Sequence, residues 1–276
     1  MAPTARETAA AEGHFHTISR RLEETFGASR FIPIGSHARD TAIKVHSDID
    51  ILAVLPRKAA RWGENMIAPR TFLAKVAEDL QGRYWSTTAR TDGQVVVLDF
   101  AGGTHSVDVV PGIFEGMNGN RPLYLIPSTA GQWISTSPET HDVIFKNANQ
   151  RSGGKLGNLA RLIKAWKYGR ETPIPISSFY TDMLLATTDV AAGVKTYGQC
   201  LRDFFVRLVQ REVRGLRDPG GVAGLITAST NEAQLDRLFS AAQFARDHAT
   251  SALNAESRGQ YSDANRQWGI VFNRSM

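Results

Sequence analysis

The segment GSHARDTAIKVHSDIDILAVL, Gly35–Leu55, closes on an apolar run that opens with two aspartates, Asp48 and Asp50, one residue apart. The β-branched and aliphatic residues from Ile49 to Leu55 predict a strand. Side chains on a strand alternate between faces, so Asp48 and Asp50 share one face while Ile49 and Ile51 share the other. Two like charges set this way repel each other unless a cation lies between them.

A third carboxylate, Asp108, sits inside a later apolar stretch, HSVDVVPG. Burying an aspartate there without a partner costs several kcal/mol. If the strand carrying Asp108 pairs beside the one carrying Asp48 and Asp50, three carboxylates converge at one point of a sheet. Such an oxygen-only set suits a hard divalent cation, Mg²⁺ with Mn²⁺ as an alternative, which keeps other positions for water and substrate phosphates. Two such ions can clamp the attacking and leaving oxygens of a phosphoryl displacement. Upstream, Gly35 and Ser36 occupy a turn leaving a short strand, RFIPIGS, where a glycine lets backbone N–H groups approach an anion and the hydroxyl adds a donor. Most Gly-Ser pairs are ordinary turns. Here eleven residues separate Ser36 from Asp48, so a phosphate-cradling turn and a metal site fall on neighbouring elements of one unit.

Outward from this segment, apolar residues at helical spacing (Phe15, Ile18, Leu22, Phe26) predict a helix over Ala5 to Phe26, stopped by Gly27. Pro56 to Pro69 reads as a loop, and Thr71 to Leu80 as a helix capped by Thr71. RYWSTTAR, QVVVLDF and HSVDVVP read as strands joined through TDG and AGGT, which are hairpin signals, so part of the sheet is antiparallel. Beyond Pro127 the pattern turns helical. GGKLGNLARLIKAWKYG puts Leu156, Leu159, Leu162, Ile163 and Trp166 on one face; YGQCLRDFFVRLVQREV does the same with Cys200, Leu201, Phe204, Phe205, Leu208 and Val209. Glu232 to Leu253 reads as a long alanine-rich helix. The expectation is an α+β chain: a catalytic core with an N-terminal helix over 1–135, and a helical substrate-binding domain over 136–276.

The 276 residues are 42% hydrophobic and 21% charged, which is globular composition. No apolar stretch is long enough to span a membrane, and the N-terminal residues lack the order of a secretory signal, so a cytoplasmic protein without a membrane partner is expected. The single cysteine, Cys200, falls on an amphipathic face and reads as a buried thiol rather than a nucleophile. Arg151 to Arg217 holds 12 Lys and Arg against 5 Asp and Glu. That excess is larger than the chain's net charge of +5, so the remainder is net negative. One part can attract polyanions while another holds cations, or the basic stretch is a solvated helix face.

Gly-Ser, a spacer of about ten residues, Asp-x-Asp opening an apolar strand and a third Asp on a later strand resemble the nucleotidyltransferase superfamily of poly(A) polymerases and oligoadenylate synthetases. Together with VDVVPG, LARLIKAWK, ISSFYTDMLL and LRDPGG, the chain over about residues 10 to 255 resembles the bacterial cGAS/DncV-like nucleotidyltransferases, the CD-NTases. The resemblance implies a polymerase-beta-like mixed sheet packed on a helical half, with the active site between them. It implies Asp48, Asp50 and Asp108 as catalytic metal ligands for two Mg²⁺ ions, and Gly35 and Ser36 as the triphosphate turn. It also implies that Lys164 reaches the triphosphate, that Ser178 touches phosphate and that the following aromatic stacks on the donor base. Where the family commonly has Ser-Tyr-His this chain reads Ser-Phe-Tyr, which leaves stacking open between Phe179 and Tyr180.

The residues also admit plainer roles. Lys164, with Arg161 and Lys167 at i−3 and i+3, is otherwise a solvated lysine on a basic face. Phe179 is otherwise core, and Ser178 otherwise an N-cap. His37, His46 and His105 read as loop residues, while Arg39 and Lys44 either steer a nucleotide or offset Asp40. The implied activity is synthesis of a cyclic di- or trinucleotide from nucleoside triphosphates such as ATP or GTP, without required nucleic acid, as an anti-phage (CBASS) signal to a separate effector. The alternative is nucleotide transfer to an RNA end, an antibiotic or a protein hydroxyl.

Overall fold

The computed structural model describes residues 5–43, 48–83, 87–100, 106–210 and 215–274, with side chains from residue 13 onward. The chain divides into two compact units, Met1–Asp142 and Val143–Met276.

In the first unit, helix α1 (Ala5–Phe26) buries Ile18, Leu22 and Phe26, as its spacing predicts. It ends where Gly27 enters the left-handed region, with the Ala28 N–H donating back to the Leu22 carbonyl. Strand β1 (Arg30–Ile34) runs directly into a one-turn helix, α2 (Gly35–Ala38), where the sequence suggested a turn. Strand β2 (Ile49–Leu55) has the expected bounds. The Pro56–Pro69 region is more ordered than a loop: a 3-10 turn over Arg57–Ala60 buries Ala59 and Ala60, and β3 (Arg61–Trp62) pairs with β4 (Asn65–Met66). Helix α3 (Pro69–Arg83) starts two residues before Thr71, because Pro69 is preset for a first helical position. Thr71 is therefore not its cap.

Strands β5 (Thr87–Asp92), β6 (Val95–Phe100), β7 (Val107–Asn118), β8 (Arg121–Pro127) and β9 (Trp133–Thr136) complete a seven-stranded sheet among the described residues. Its central path runs β1-β2-β7-β6-β5, and β8 and β9 extend from the far end of β7. The β2–β7 pair is parallel and every other pair is antiparallel. The sheet is thus mixed, and its later strands are antiparallel as the hairpin signals predicted. Residues 101–105 between β6 and β7, AGGT included, lie outside the described ones. Strand β7 continues past the expected stretch because Ile113 to Asn118 pair with β8, through a bulge between Phe114 and Gly116.

Alternation along β2 and β7 sorts the two faces. Ile51, Ala53, Leu55, Val107 and Val109 pack with α1 and α3, whereas Leu52, Val54 and Val110 pack with Ile32, Tyr124 and Ile126 on the opposite face. Asp50 and Asp108 belong, by parity, to that second face, at the end where both strands begin.

The second unit contains α4 (Pro138–Arg151) from Val143 onward, α5 (Lys155–Tyr168), α6 (Ser178–Thr187), α7 (Tyr197–Gln210), a small pair β10 (Leu216–Arg217) and β11 (Leu225–Ile226), α8 (Glu232–Ser257) and α9 (Tyr261–Val271). The apolar faces of α5 and α7 enter one core, with Trp166 against Phe205. Leu162 and Val209 sit at its margin. Cys200 is buried there, and burial pushes its thiol pKa up, so it stays an un-ionised packing residue. Buried alanines at 242, 245, 249, 252 and 255 let α8 pack closely with α7 and α9. Among the described residues no helix is long and apolar enough to cross a membrane.

Candidate active site

Asp50 and Asp108 are register partners across the parallel β2–β7 pair. Partnered residues on adjacent strands point to the same face, so the two carboxylates stand side by side. Asp48 lies one residue before β2, on the same parity and therefore about 7 Å up the strand from Asp50. It accepts a hydrogen bond at 2.6 Å from the Ser106 hydroxyl, and the Ile49 N–H donates to the Ser106 carbonyl. Ser106 was not singled out from sequence. Nothing local marks it, because its role comes from facing Asp48 across 58 residues.

The electrostatics follow from this crowding. Burial, then Asp50, then Asp48 push the Asp108 carboxyl up to about 7, against a weaker lowering by Arg90. Its Oδ1 is buried and, among the described residues, has no hydrogen-bond partner. Among the described residues no three His, Cys, Asp or Glu side chains are gathered into a group that could hold a metal ion. The donor set nevertheless fits a divalent cation. An orphaned, buried carboxylate oxygen beside a second carboxylate is what a hard cation would satisfy, and the ligands are all oxygen.

Gly35 closes the other side of Asp50. Its φ of +70° lies in the left-handed region, and a Cβ there would fall 1.9 Å from Asp50 Oδ2. Glycine is required twice over, by backbone conformation and by the carboxylate against it. Ser36 is the second residue of α2, and its carbonyl accepts from the Thr41 N–H at 2.8 Å. The structure therefore brings Gly35, Asp50 and Asp108 together, with Asp48 one repeat away. His37 lies within α2. Arg39 is buried and its Nη1 donates to Asp142 Oδ1 at 2.9 Å. Lys44, His46 and His105 lie outside the described residues.

The other candidates are in the second unit. Lys164, on α5, is only 4% exposed, so it is not a solvated lysine on a basic face. Arg161 has its guanidinium on the Asn158 side-chain carbonyl, and burial lowers the Lys167 pKa. The N-cap of α6 is Ser177, whose hydroxyl accepts from the Tyr180 N–H; Ser178 is the first helical residue and so is not the cap. Phe179 is half-buried at the edge of the core, whereas Tyr180 is fully buried within it. Of the two aromatics, Phe179 is the one with a surface to offer. Helix α5 packs against α6, which places Lys164 and Ser178 on neighbouring elements.

The Asp108 shift has a measurable consequence. Its folded pKa, about 7, lies above the ordinary 3.8, so the folded state binds this proton more tightly than the unfolded chain. Metal-free stability should therefore fall as pH rises from about 4 to about 7 and level off above that. With one unit equal to about 1.4 kcal/mol, and a discount for the solvent-screened part of the group, the loss is roughly 2 kcal/mol. In chelator at pH 8 the Asp108→Asn protein should melt several degrees above wild type, and at pH 4 the two should coincide. Equal melting temperatures at both values would show that no such repulsion is stored.

A mixed sheet that presents paired aspartates beside a glycine-serine turn, followed by a helical unit, is the build of a nucleotidyltransferase. The profile of the Second Messenger Oligonucleotide or Dinucleotide Synthetase domain, SMODS, matches residues 2–149. The chain belongs to this family, the CD-NTases. It is 22% identical to a probable cyclic nucleotide synthase of Bacillus cereus (strain VD146), over 94% of this chain and 86% of that protein. It is 27% identical to the cyclic AMP-AMP-AMP synthase of Escherichia coli (strain MS 115-1), over 68% of this chain and 59% of that one. The solved structure of E. coli MS115-1 CdnC with ATP superposes with a TM-score of 0.74 at 20% identity, covering 98% of this chain and 92% of the other. Vibrio cholerae DncV, a cyclic AMP-GMP synthase solved with a linear intermediate, superposes with a TM-score of 0.63 at 14% identity, over 88% and 68% of the two chains. At these identities the superpositions speak for the fold.

Proposed function

We propose that this enzyme is a metal-dependent synthase of a cyclic di- or trinucleotide, made from nucleoside triphosphates and released as an anti-phage signal to a separate effector. The observation that carries the reading is the register pairing of Asp50 with Asp108 beside Gly35. Names of the relatives, a cyclic AMP-AMP-AMP synthase among them, support a cyclic product.

Asp48, Asp50 and Asp108 would hold Mg²⁺, with Mn²⁺ as a substitute. Bound cations would supply neutralisation of the triphosphate and of the departing pyrophosphate. The chain's own part is positioning. The Gly35–Ser36 turn offers N–H groups and a hydroxyl to phosphate oxygens, Lys164 and Ser178 bind the triphosphate, and Phe179 stacks on the donor base. A ribose hydroxyl attacks the α-phosphate, the O–P bond to pyrophosphate breaks, and one carboxylate takes the hydroxyl proton. A second attack within the linear intermediate closes the ring.

The direct test incubates pure protein with four labelled nucleoside triphosphates and Mg²⁺, then applies phosphatase and mass spectrometry. The expected outcome is a phosphatase-resistant species without any added RNA or protein. Label found only on an added RNA, antibiotic or protein acceptor would replace this reading with nucleotide transfer.

Lys164 offers a narrower test. Lys164→Met keeps the apolar stem in its buried site and removes the charge, and its thermal midpoint is measured beside the kinetics as the control for folding. The KM for the donor triphosphate should rise about tenfold, more than kcat falls, because a ground-state phosphate contact is lost. Constants within about twofold of wild type would assign Lys164 to packing alone.

A further inference from the structure

A one-turn helix cannot hold its own orientation: nucleation costs more than one turn of hydrogen bonds returns. Helix α2 is only four residues long, yet it carries Gly35 and Ser36 and abuts Asp50. Its direction must come from tertiary anchors. The Thr41 N–H donates to the Ser36 carbonyl, and Thr41 itself is fully buried. Between them the chain reverses through Asp40, a non-glycine residue at φ 54°, a conformation that persists only where its surroundings impose it. The charged anchor is Arg39, the residue closing α2. Its guanidinium meets Asp142 of α4 at 2.9 Å, with side-chain exposures of 5% and 11%, across 103 residues of sequence.

We propose that Arg39 is a positioning residue for the triphosphate turn, and that its buried pair with Asp142 sets the angle at which Gly35 and Ser36 present their donors. The proposal rests on the reading of that turn as a phosphate site. A planar guanidinium is a rigid, directional anchor, which an ammonium or an apolar side chain is not. Breaking a buried pair by removing one partner is strongly destabilising, whereas replacing both by apolar residues of similar size is often neutral. Stability and positioning can therefore be separated.

The experiment compares wild type, Arg39→Lys and the double variant Arg39→Met/Asp142→Leu. It measures thermal midpoint, kcat and KM for the donor triphosphate, and equilibrium binding of a non-hydrolysable ATP analogue with Mg²⁺. The double variant is expected to melt within a few degrees of wild type, bind the analogue at least tenfold more weakly, and raise KM by the same factor with kcat within about threefold. Arg39→Lys, which keeps the charge without the fork, is expected to weaken binding by an intermediate factor. A double variant that melts and binds like wild type reduces the pair to ordinary core packing and overturns the proposal. Should the double variant not fold, Arg39→Lys decides: unchanged analogue binding overturns the proposal, and weaker binding at an unchanged midpoint supports it. Failure of the wild-type protein itself to bind any of the four triphosphates overturns the phosphate reading of the turn, and the role of Arg39 with it.

Discussion

Asp50→Asn and Asp108→Asn should each cut turnover at least about 10³-fold, a loss of about 4 kcal/mol of transition-state stabilisation. Each replaces a proposed charged metal ligand by a neutral group where two carboxylates stand in register. The fold should survive, since Asn has nearly the shape of Asp and the exchange removes repulsion in the metal-free protein. Asp48→Asn is expected to be at least as damaging to cation binding as to rate. Its Oδ1 can still accept from Ser106, so a residual, Mn²⁺-dependent activity is the expected signature of its place one repeat away. The measurement is steady-state product formation in Mg²⁺ and in Mn²⁺, with circular dichroism as a control. Normal turnover by either the Asp50 or the Asp108 variant would remove the carboxylates from the mechanism.

Gly35→Ala should be nearly as severe, for steric reasons alone. The new methyl would fall 1.9 Å from Asp50 Oδ2 and 2.6 Å from its Cγ, on a backbone already at φ +70°. Relief requires the Asp50 carboxylate to swing away, or the turn to move, and either would displace the proposed cation ligand from the proposed triphosphate donors. A misplacement of about 1 Å can cost on the order of 10²-fold in rate. Left-handed backbone at a non-glycine residue adds roughly 1 to 3 kcal/mol of destabilisation. Activity should thus fall at least about 10²-fold, and the melting temperature by several degrees. Wild-type kinetics in this variant would show that the turn and Asp50 tolerate separation, contrary to the packing seen between them.

Much of the candidate site is legible in the sequence, because its signals are local. The alternation of Asp48 and Asp50 against Ile49 and Ile51 follows from strand geometry, and the bounds of β2 match it. Helix α1 and its stop at Gly27 follow from apolar spacing and a left-handed cap. Local signals were weaker where backbone context outranked composition. Pro69 started α3 ahead of Thr71, Ser177 rather than Ser178 capped α6, and a polar loop folded into a 3-10 turn and a two-strand pair around buried Ala59 and Ala60.

The sequence by itself determined which residues carry charge, hydroxyl and conformational freedom near one another along the chain: Gly35, Ser36, Asp48 and Asp50. Only the tertiary structure decided that Asp50 and Asp108 are exact register partners on a parallel pair, since a slip of one residue would have turned Asp108 to the opposite face. It also decided that Lys164 and Tyr180 are buried, that Ser106 holds Asp48, and that Arg39 meets Asp142. Each of these joins residues distant in sequence or depends on what packs above a side chain. Periodicity reports which way a side chain points within its own element. It carries no information about what arrives there from the rest of the chain.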